Sequence, residues 1–199
     1  MQYVILSNGK GTRWNNYMGI TKQEIVINGE NLLQRIVRQI KNSDETAKII
    51  ISSSNPNHEV TGCIRYSSKN TNKDKKMYLY EKINEPIIFL YGDTYYENNI
   101  IDIIVNSFTD KVLFFGNENA IIAIKVIDYQ LFKNKLDVYK GDKRLLHEFE
   151  EYDIDRLFIN VGYNFKNINT SDDYHELLKI KKLIKANKRW NNEIYRKNI

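Results

Sequence analysis

Short, continuous apolar runs alternating with amphipathic segments constrain this chain more than any other feature. Strands are expected at Tyr3–Leu6, Lys48–Ser53, Met77–Tyr80, Pro86–Tyr91, Val112–Phe115, Ala120–Val126 and Leu157–Val161. Several are unbroken Ile/Val/Leu/Phe runs, the pattern of strands buried on both faces in a mainly parallel sheet. Between the first two strands, Leu32, Leu33, Ile36, Val37 and Ile40 recur at helical spacing, with Gln34, Arg35, Arg38 and Lys41 on the opposite face. Further helices are expected at Asn99–Phe108, Asp128–Leu136 and, more weakly patterned, Lys143–Glu151. Thr170 is a good N-cap, followed by Asp172 and Asp173 in a first turn where the helix dipole favours negative charge. The helix it starts runs from about 171 to 190, with Tyr174, Leu177, Leu178, Leu183 and Ile184 on its apolar face. The expected class is α/β: a single Rossmann-like, three-layer domain over residues 1–199 around a mainly parallel sheet.

Composition excludes several alternatives. Cys63 is the sole cysteine, so there is no disulfide framework and no C-x-x-C metal site. No stretch approaches the roughly 20 apolar residues of a membrane span. The opening Met1–Leu6 reads as a buried strand rather than a signal peptide, and the cytoplasm is the expected location. The net charge of +5 is concentrated in a basic tail from Lys179 to Lys197, which reads as a solvated helix face. The 67–76 stretch, polar and highly charged, reads as a surface loop.

The segment with the most chemical content follows the first strand: Leu6-Ser7-Asn8-Gly9-Lys10-Gly11-Thr12-Arg13. Its glycines let the backbone turn tightly and bring N–H groups close to a ligand, forming an anion-binding concavity. Lys10, Arg13 and the later Lys22 add positive charge suited to a triphosphate. A dinucleotide fingerprint would need glycine where Trp14 stands, and the glycine spacing does not fit a P-loop. On spacing alone, G-x-G also suits a plain structural turn. A second segment, Phe89-Leu90-Tyr91-Gly92-Asp93, ends an apolar strand in Gly-Asp. That would place a carboxylate at the carboxyl edge of the sheet, where open α/β sheets bind ligands.

Together these residues resemble the nucleotidyltransferase-domain family, which includes sugar-nucleotide pyrophosphorylases, cytidylyltransferases and molybdenum-cofactor guanylyltransferases. The resemblance rests on Val4–Arg13, Lys22-Gln23, the hairpin-like Ile25-Val26-Ile27-Asn28-Gly29-Glu30 with Leu32-Leu33-Gln34-Arg35, the Gly92-Asp93 pair, and Asn167-Ile168-Asn169-Thr170-Ser171-Asp172-Asp173. All occur in the family's order. The resemblance implies that Leu6, Ser7, Asn8, Gly9, Lys10, Gly11, Thr12 and Gly92 bind the nucleotide. It further implies that Arg13 and Lys22 act on its phosphates, and that Asp93 and Asn169 hold magnesium. Asn169 stands where many members carry an acid.

The implied reaction is transfer of an NMP, best CMP from CTP, to phosphocholine, glycerol phosphate, a sugar phosphate or phosphoglutamine in surface-polysaccharide synthesis. Lys22-Gln23, Gly29-Glu30 and Asp172-Asp173-Tyr174 look most like cytidylyltransferases. A molybdopterin guanylyltransferase is the alternative within the family, and a non-catalytic nucleotide- or RNA-binding module the alternative outside it. No nucleic-acid motif supports the latter. An exposed apolar strand or the last helix would serve a homodimer.

The remaining candidates carry less. His58, His147 and His175 share no ligand spacing and read as surface or packing residues, and Cys63 as inert. Tyr95 and Tyr96 would line the acceptor site or pack. Trp14 would close over the glycine loop, and Lys125 and Arg144 would meet an acceptor phosphate or, the commoner case for such residues, lie on the surface.

Overall fold

The computed structural model describes residues 1–9, 11–67, 84–138, 149 and 154–182. In chain order the elements are β1 (Gln2–Leu6), β2 (Val26–Ile27), β3 (Glu30–Asn31), α1 (Leu32–Ser43), β4 (Lys48–Ser52), β5 (Ile64–Tyr66), β6 (Ile87–Tyr91) and β7 (Thr94–Tyr96). There follow α2 (Ile100–Asn106), β8 (Val112–Asn117), β9 (Ala120–Val126), α3 (Tyr129–Val138), α4 (Ile154–Leu157), β10 (Phe158–Asn160), β11 (Phe165–Asn167) and α5, described over 171–182. Seven strands form one sheet in the order β10-β8-β9-β6-β1-β4-β5.

The unbroken apolar runs are explained by burial on both faces. Within β1, Tyr3 and Ile5 point to one side, where α1 and α2 supply Leu33, Ile36, Ile40, Ile100 and Ile104. Val4 and Leu6 point to the other, against Phe89, Phe114 and the α3 residue Phe132. Two helical layers therefore enclose the sheet, as the sequence pattern predicts. β1 pairs in parallel with β4 on one side and β6 on the other, so Leu6 lies level with Ser52 and Tyr91. The sheet is mainly parallel; β9 runs antiparallel to both β6 and β8. Only two residues, Glu118 and Asn119, separate β8 from β9, and so short a connection permits only antiparallel pairing.

Most expected strands match within a residue or two. β6 starts at Ile87 rather than Pro86, because proline has no amide to give the ladder. The edge strand β5 was too short to read from Ile64-Arg65-Tyr66. The expected strand at 77–80 and most of the 67–76 loop lie outside the described residues. So do the helix at 143–151 (apart from Phe149) and the part of the last helix beyond 182.

Arg35 departs from its expected solvent-facing position. It is buried, donates from Nε and one terminal nitrogen to the Tyr96 carbonyl at 3.2 and 3.1 Å, and lies 4.4 Å over the Tyr95 ring. Tyr95 and Tyr96 are buried too, so both pack rather than line an open site. The Tyr96 hydroxyl donates to the Ile122 carbonyl at 2.8 Å, tying β7 to β9.

Lys125 is also corrected. It pairs across from Ile88 and Leu113, near the amino-terminal edge of the parallel strands, opposite the edge where Gly92 and Asp93 emerge. Its buried ammonium donates to the carbonyls of Val105 and Ser107, both at 2.7 Å, closing the end of α2. Burial pulls its pKa below the ordinary lysine value. Lys125→Met should leave those carbonyls without a donor and cost about 1–3 kcal/mol in urea unfolding. Nucleotide binding by the folded variant should be unchanged in calorimetry.

Candidate active site

The carboxyl edges of β1, β4 and β6 lie side by side, and three backbone or side-chain links fasten the chains leaving them. Ser7 N–H donates to the Ser52 carbonyl at 3.0 Å, and Gly92 N–H to the Leu6 carbonyl at 3.0 Å. The Asn8 side chain accepts from the amide and hydroxyl of Ser54. Gly92 is required by the closeness of the strands: a Cβ there would run into the Ser7 hydroxyl and stand 3.2 Å from the Leu6 carbonyl. Gly11 has φ +60°, a left-handed conformation that favours glycine. At Gly9 a Cβ would meet nothing within 4 Å, so that stretch of loop borders open space. Thr12 and Arg13 are exposed, and Lys10 lies outside the described residues. Ser7 Oγ is buried with no hydrogen-bond partner at this edge, and so is Ser52 Oγ.

Past Arg13 the chain turns inward. Trp14 does not cover the loop: it is buried against Ile25, Ile27, Tyr174 and Leu177, and its indole donates to the Ile20 carbonyl at 2.8 Å. Lys22 opens a single 3-10 turn, Lys22–Glu24, whose N-cap Thr21 exchanges hydrogen bonds with Glu24. The Lys22 side chain is 9% exposed and its ammonium lies 2.5 Å from Asp93 Oδ2, 71 residues away.

Asn169 reaches the same place by another route. β11 pairs antiparallel with β7, and Ile168 N–H continues the ladder to the Asp93 carbonyl at 2.8 Å. The following residues start α5 through a capping box. Asp173 accepts from the amides of Asn169 and Thr170, both at 2.9 Å, while its own amide donates to Thr170 Oγ1. The Asn169 side-chain oxygen, held at this helix start, accepts from Arg13 at 2.8 Å. The expected Thr170 cap and acidic first turn are both present, and α5 packs Tyr174 and Leu177 against Trp14.

Arg13, Lys22, Asp93 and Asn169 thus converge from three distant segments as two cation–oxygen pairs. Among the described residues, no three His, Cys, Asp or Glu side chains group closely enough to hold a metal ion. Asp93 and Asn169 offer one carboxylate and one amide oxygen. Both are hard oxygen donors of the kind magnesium takes, and in this structure each accepts from a cation, Asp93 from Lys22 and Asn169 from Arg13.

Cys63 is half-buried, and burial pushes its thiol above the ordinary range, in keeping with an inert residue. His175 is exposed and shares a 2.8 Å hydrogen bond with the Tyr17 hydroxyl. His58, which shares no ligand spacing with the other histidines, is buried and hydrogen-bonded through both ring nitrogens. No spacing rule connects it to Thr21, so only the fold reveals that contact. Arg144 and His147 lie outside the described residues.

No protein-family model and no curated protein sequence matches this chain. Solved structures do. A protein assigned as a glucose-1-phosphate thymidylyltransferase from Bacillus anthracis aligns with TM-score 0.66 and 14% identity, over 90% of this chain and 94% of that one. CTP:phosphocholine cytidylyltransferase from Streptococcus pneumoniae aligns with TM-score 0.63 and 15% identity, over 90% and 98%. An inositol-1-phosphate CTP transferase from T. maritima aligns with TM-score 0.61 and 13% identity, over 89% and 94%. The chain therefore has the fold of these nucleotide-transferring proteins, the fold that the sequence resemblance implies.

The Asp173 cap gives a prediction that depends on pH. Burial alone would raise its carboxyl, but hydrogen bonds from Asn169 and Thr170 and the Lys166 charge outweigh it and hold the group below its ordinary value. A depressed carboxylate stabilises the fold above its unfolded pKa of about 3.9, and that contribution is lost as pH falls through the folded value. Asp173→Asn should cost about 1 kcal/mol at neutral pH. Thermal unfolding of both proteins along a pH series should show the difference shrinking in acid.

Proposed function

We propose that this protein is a magnesium-dependent nucleotidyltransferase that joins an NMP from an NTP to a small phosphorylated acceptor and releases pyrophosphate. The observation that carries this reading is the convergence of Arg13, Lys22, Asp93 and Asn169 beside the glycine-bearing loop, on a fold shared with nucleotide-transferring enzymes. The loop from Leu6 to Thr12, with Gly92, would take the nucleotide, on a strand edge that the Ser7 and Gly92 N–H groups hold together. Gly9 borders open space and Gly11 supplies the left-handed turn that such a loop needs.

Arg13 and Lys22 would neutralise the triphosphate, and Asp93 and Asn169 would hold magnesium. The metal, when bound, supplies charge neutralisation across the phosphate oxygens. An acceptor phosphate oxygen attacks the α-phosphorus in line; the new O–P bond forms as the bond to the β-phosphate oxygen breaks, and pyrophosphate leaves. The acceptor is already anionic, so no general base is required. Rate then depends on positioning and on fixed charge. Each cation is paired with one of the oxygens, Arg13 with Asn169 and Lys22 with Asp93.

CTP is the favoured donor, on the cytidylyltransferase-like Lys22-Gln23, Gly29-Glu30 and Asp172-Asp173-Tyr174 and in keeping with the Streptococcus pneumoniae and T. maritima neighbours. The matching acceptors are phosphocholine, glycerol phosphate, sugar phosphates and phosphoglutamine. A single domain acting in the cytoplasm on surface-polysaccharide precursors fits that chemistry. No described helix is long and apolar enough to cross a membrane.

Loss of one preorganised charge contact of this kind costs about 2.7–4 kcal/mol in the barrier. Lys22→Ala and Asp93→Asn should each lower pyrophosphate release by roughly 100-fold or more while circular dichroism shows the fold intact. Near-wild-type rates in either variant would remove these residues from the mechanism. RNA binding that falls steeply with salt, with no pyrophosphate release, would instead favour the non-catalytic module.

A further inference from the structure

The ammonium of Lys22 is only as well placed as the short turn that carries it, and that turn is tied to the sheet through a histidine. His58 closes a second 3-10 turn, Pro56–His58, just past β4, and is 2% exposed. Its Nδ1 lies 2.7 Å from Ser53 Oγ and its Nε2 lies 2.8 Å from Thr21 Oγ1. Thr21 Oγ1 in turn donates to Glu24 Oε2 at 2.7 Å, and the same carboxylate oxygen accepts from Thr21 N–H at 2.8 Å.

Counting protons orients the whole chain. Burial would raise the Glu24 carboxyl, but hydrogen bonds from Thr21 and Asn57 outweigh it and keep it ionised, so it only accepts. Thr21 Oγ1 has one proton and gives it to Glu24, so the bond to His58 requires Nε2–H to donate to Thr21. Burial disfavours the charged ring, and in the neutral ring Nδ1 is then the acceptor, to which Ser53 O–H donates. Ser53 Oγ meanwhile accepts from Asn55 N–H at 3.1 Å. Every donor in Ser53–His58–Thr21–Glu24 thus points the same way and ends on a carboxylate.

We propose that His58 is a positioning residue for Lys22: in its neutral, Nε2-protonated form it fixes the Thr21–Glu24 turn against the end of β4 and so sets the ammonium against Asp93. This rests on the nucleotidyltransferase reading for its catalytic consequence, although not for its geometry. Protonation of His58 puts a hydrogen on Nδ1, so the Ser53 hydroxyl must turn round and accept from the ring as well as from Asn55 N–H. The charged groups facing the ring are Glu24 from the Lys22 turn, which favours the cation, and Arg65 from β5, which opposes it. Burial is the largest effect and lowers the histidine pKa below its ordinary value. A depressed folded pKa means that the neutral ring's contribution is present above the unfolded value of about 6.5 and is lost as pH falls through the folded one. The acid limb of the pH–rate profile should therefore carry a part that belongs to His58.

The test uses the full-length protein with His58→Ala and His58→Gln. The glutamine amide can donate to Thr21 but cannot titrate. Pyrophosphate release is measured against NTP concentration from about pH 5.5 to 8, across the ordinary histidine range. His58→Ala should lower kcat by about 10–100-fold, the cost of a misplaced charge. His58→Gln should recover most of that rate and lose part of the wild-type acid limb. Wild-type kcat in His58→Ala, or an acid limb in His58→Gln that superimposes on the wild type, would overturn the proposal. Nitrogen NMR of the ring in the wild-type protein tests the geometry without any variant: a proton on Nε2 supports it and a proton on Nδ1 overturns it. If the wild type releases no pyrophosphate from any NTP, the proposed function fails. Amide exchange over residues 21–25 then decides the positioning role. Exchange about tenfold faster in His58→Ala supports it, because local opening governs such rates; unchanged exchange overturns it.

Discussion

Parallel pairing of β1 with both β4 and β6 is the constraint on which the rest depends. It brings Leu6, Ser52 and Tyr91 level, so the three chains leave the sheet at one edge. The glycine-bearing loop, the Ser53–His58 turn and the Gly92-Asp93 turn are then neighbours by geometry, although they are scattered along the sequence. That pairing is stable because β1 is apolar on both faces and each face is covered by helices. The closeness of the edge also explains Gly92, the position where any side chain would strike Ser7.

The second half of the site is delivered by antiparallel structure. β7 and β11 form a small two-stranded sheet, and its register, continued by the Ile168–Asp93 hydrogen bond, sets Asn169 beside the end of β6. α5 is held in place by packing on Trp14 and by Lys181, which pairs with Glu97 at 2.5 Å and lies 4.8 Å from the Tyr95 ring. Trp14 therefore serves the site indirectly, as the surface on which α5 rests, while Arg13 beside it reaches Asn169. The Lys22–Asp93 pair is half-buried, with Lys22 9% and Asp93 27% exposed, and under the proposed function it would meet an anionic ligand.

The three-layer fold was legible because burial on both faces writes unbroken apolar runs, and α1 and α5 because their caps and periodicity are local. Arg13, Lys22, Asp93 and Asn169 were grouped as candidates only through a family resemblance, because their contacts span as many as 156 residues and leave no periodic trace. Arg35 was misread because the helical pattern shows polarity, and a guanidinium with carbonyls to bond and a ring to stack on can be buried. Lys125 was misread because nothing local tells which edge of a sheet a residue near a strand end occupies. His58 was invisible for a related reason: its partners, Ser53 and Thr21, belong to different turns that only the sheet brings together.

The most direct measurement is pyrophosphate release by the wild-type protein from CTP, GTP, UTP, ATP and dTTP, each with magnesium and a panel of small phosphorylated acceptors. Release that requires magnesium and an acceptor, with CTP preferred, is the expected result. No release from any donor, together with no NTP binding in calorimetry, would contradict the reading of the glycine-bearing edge as a nucleotide site.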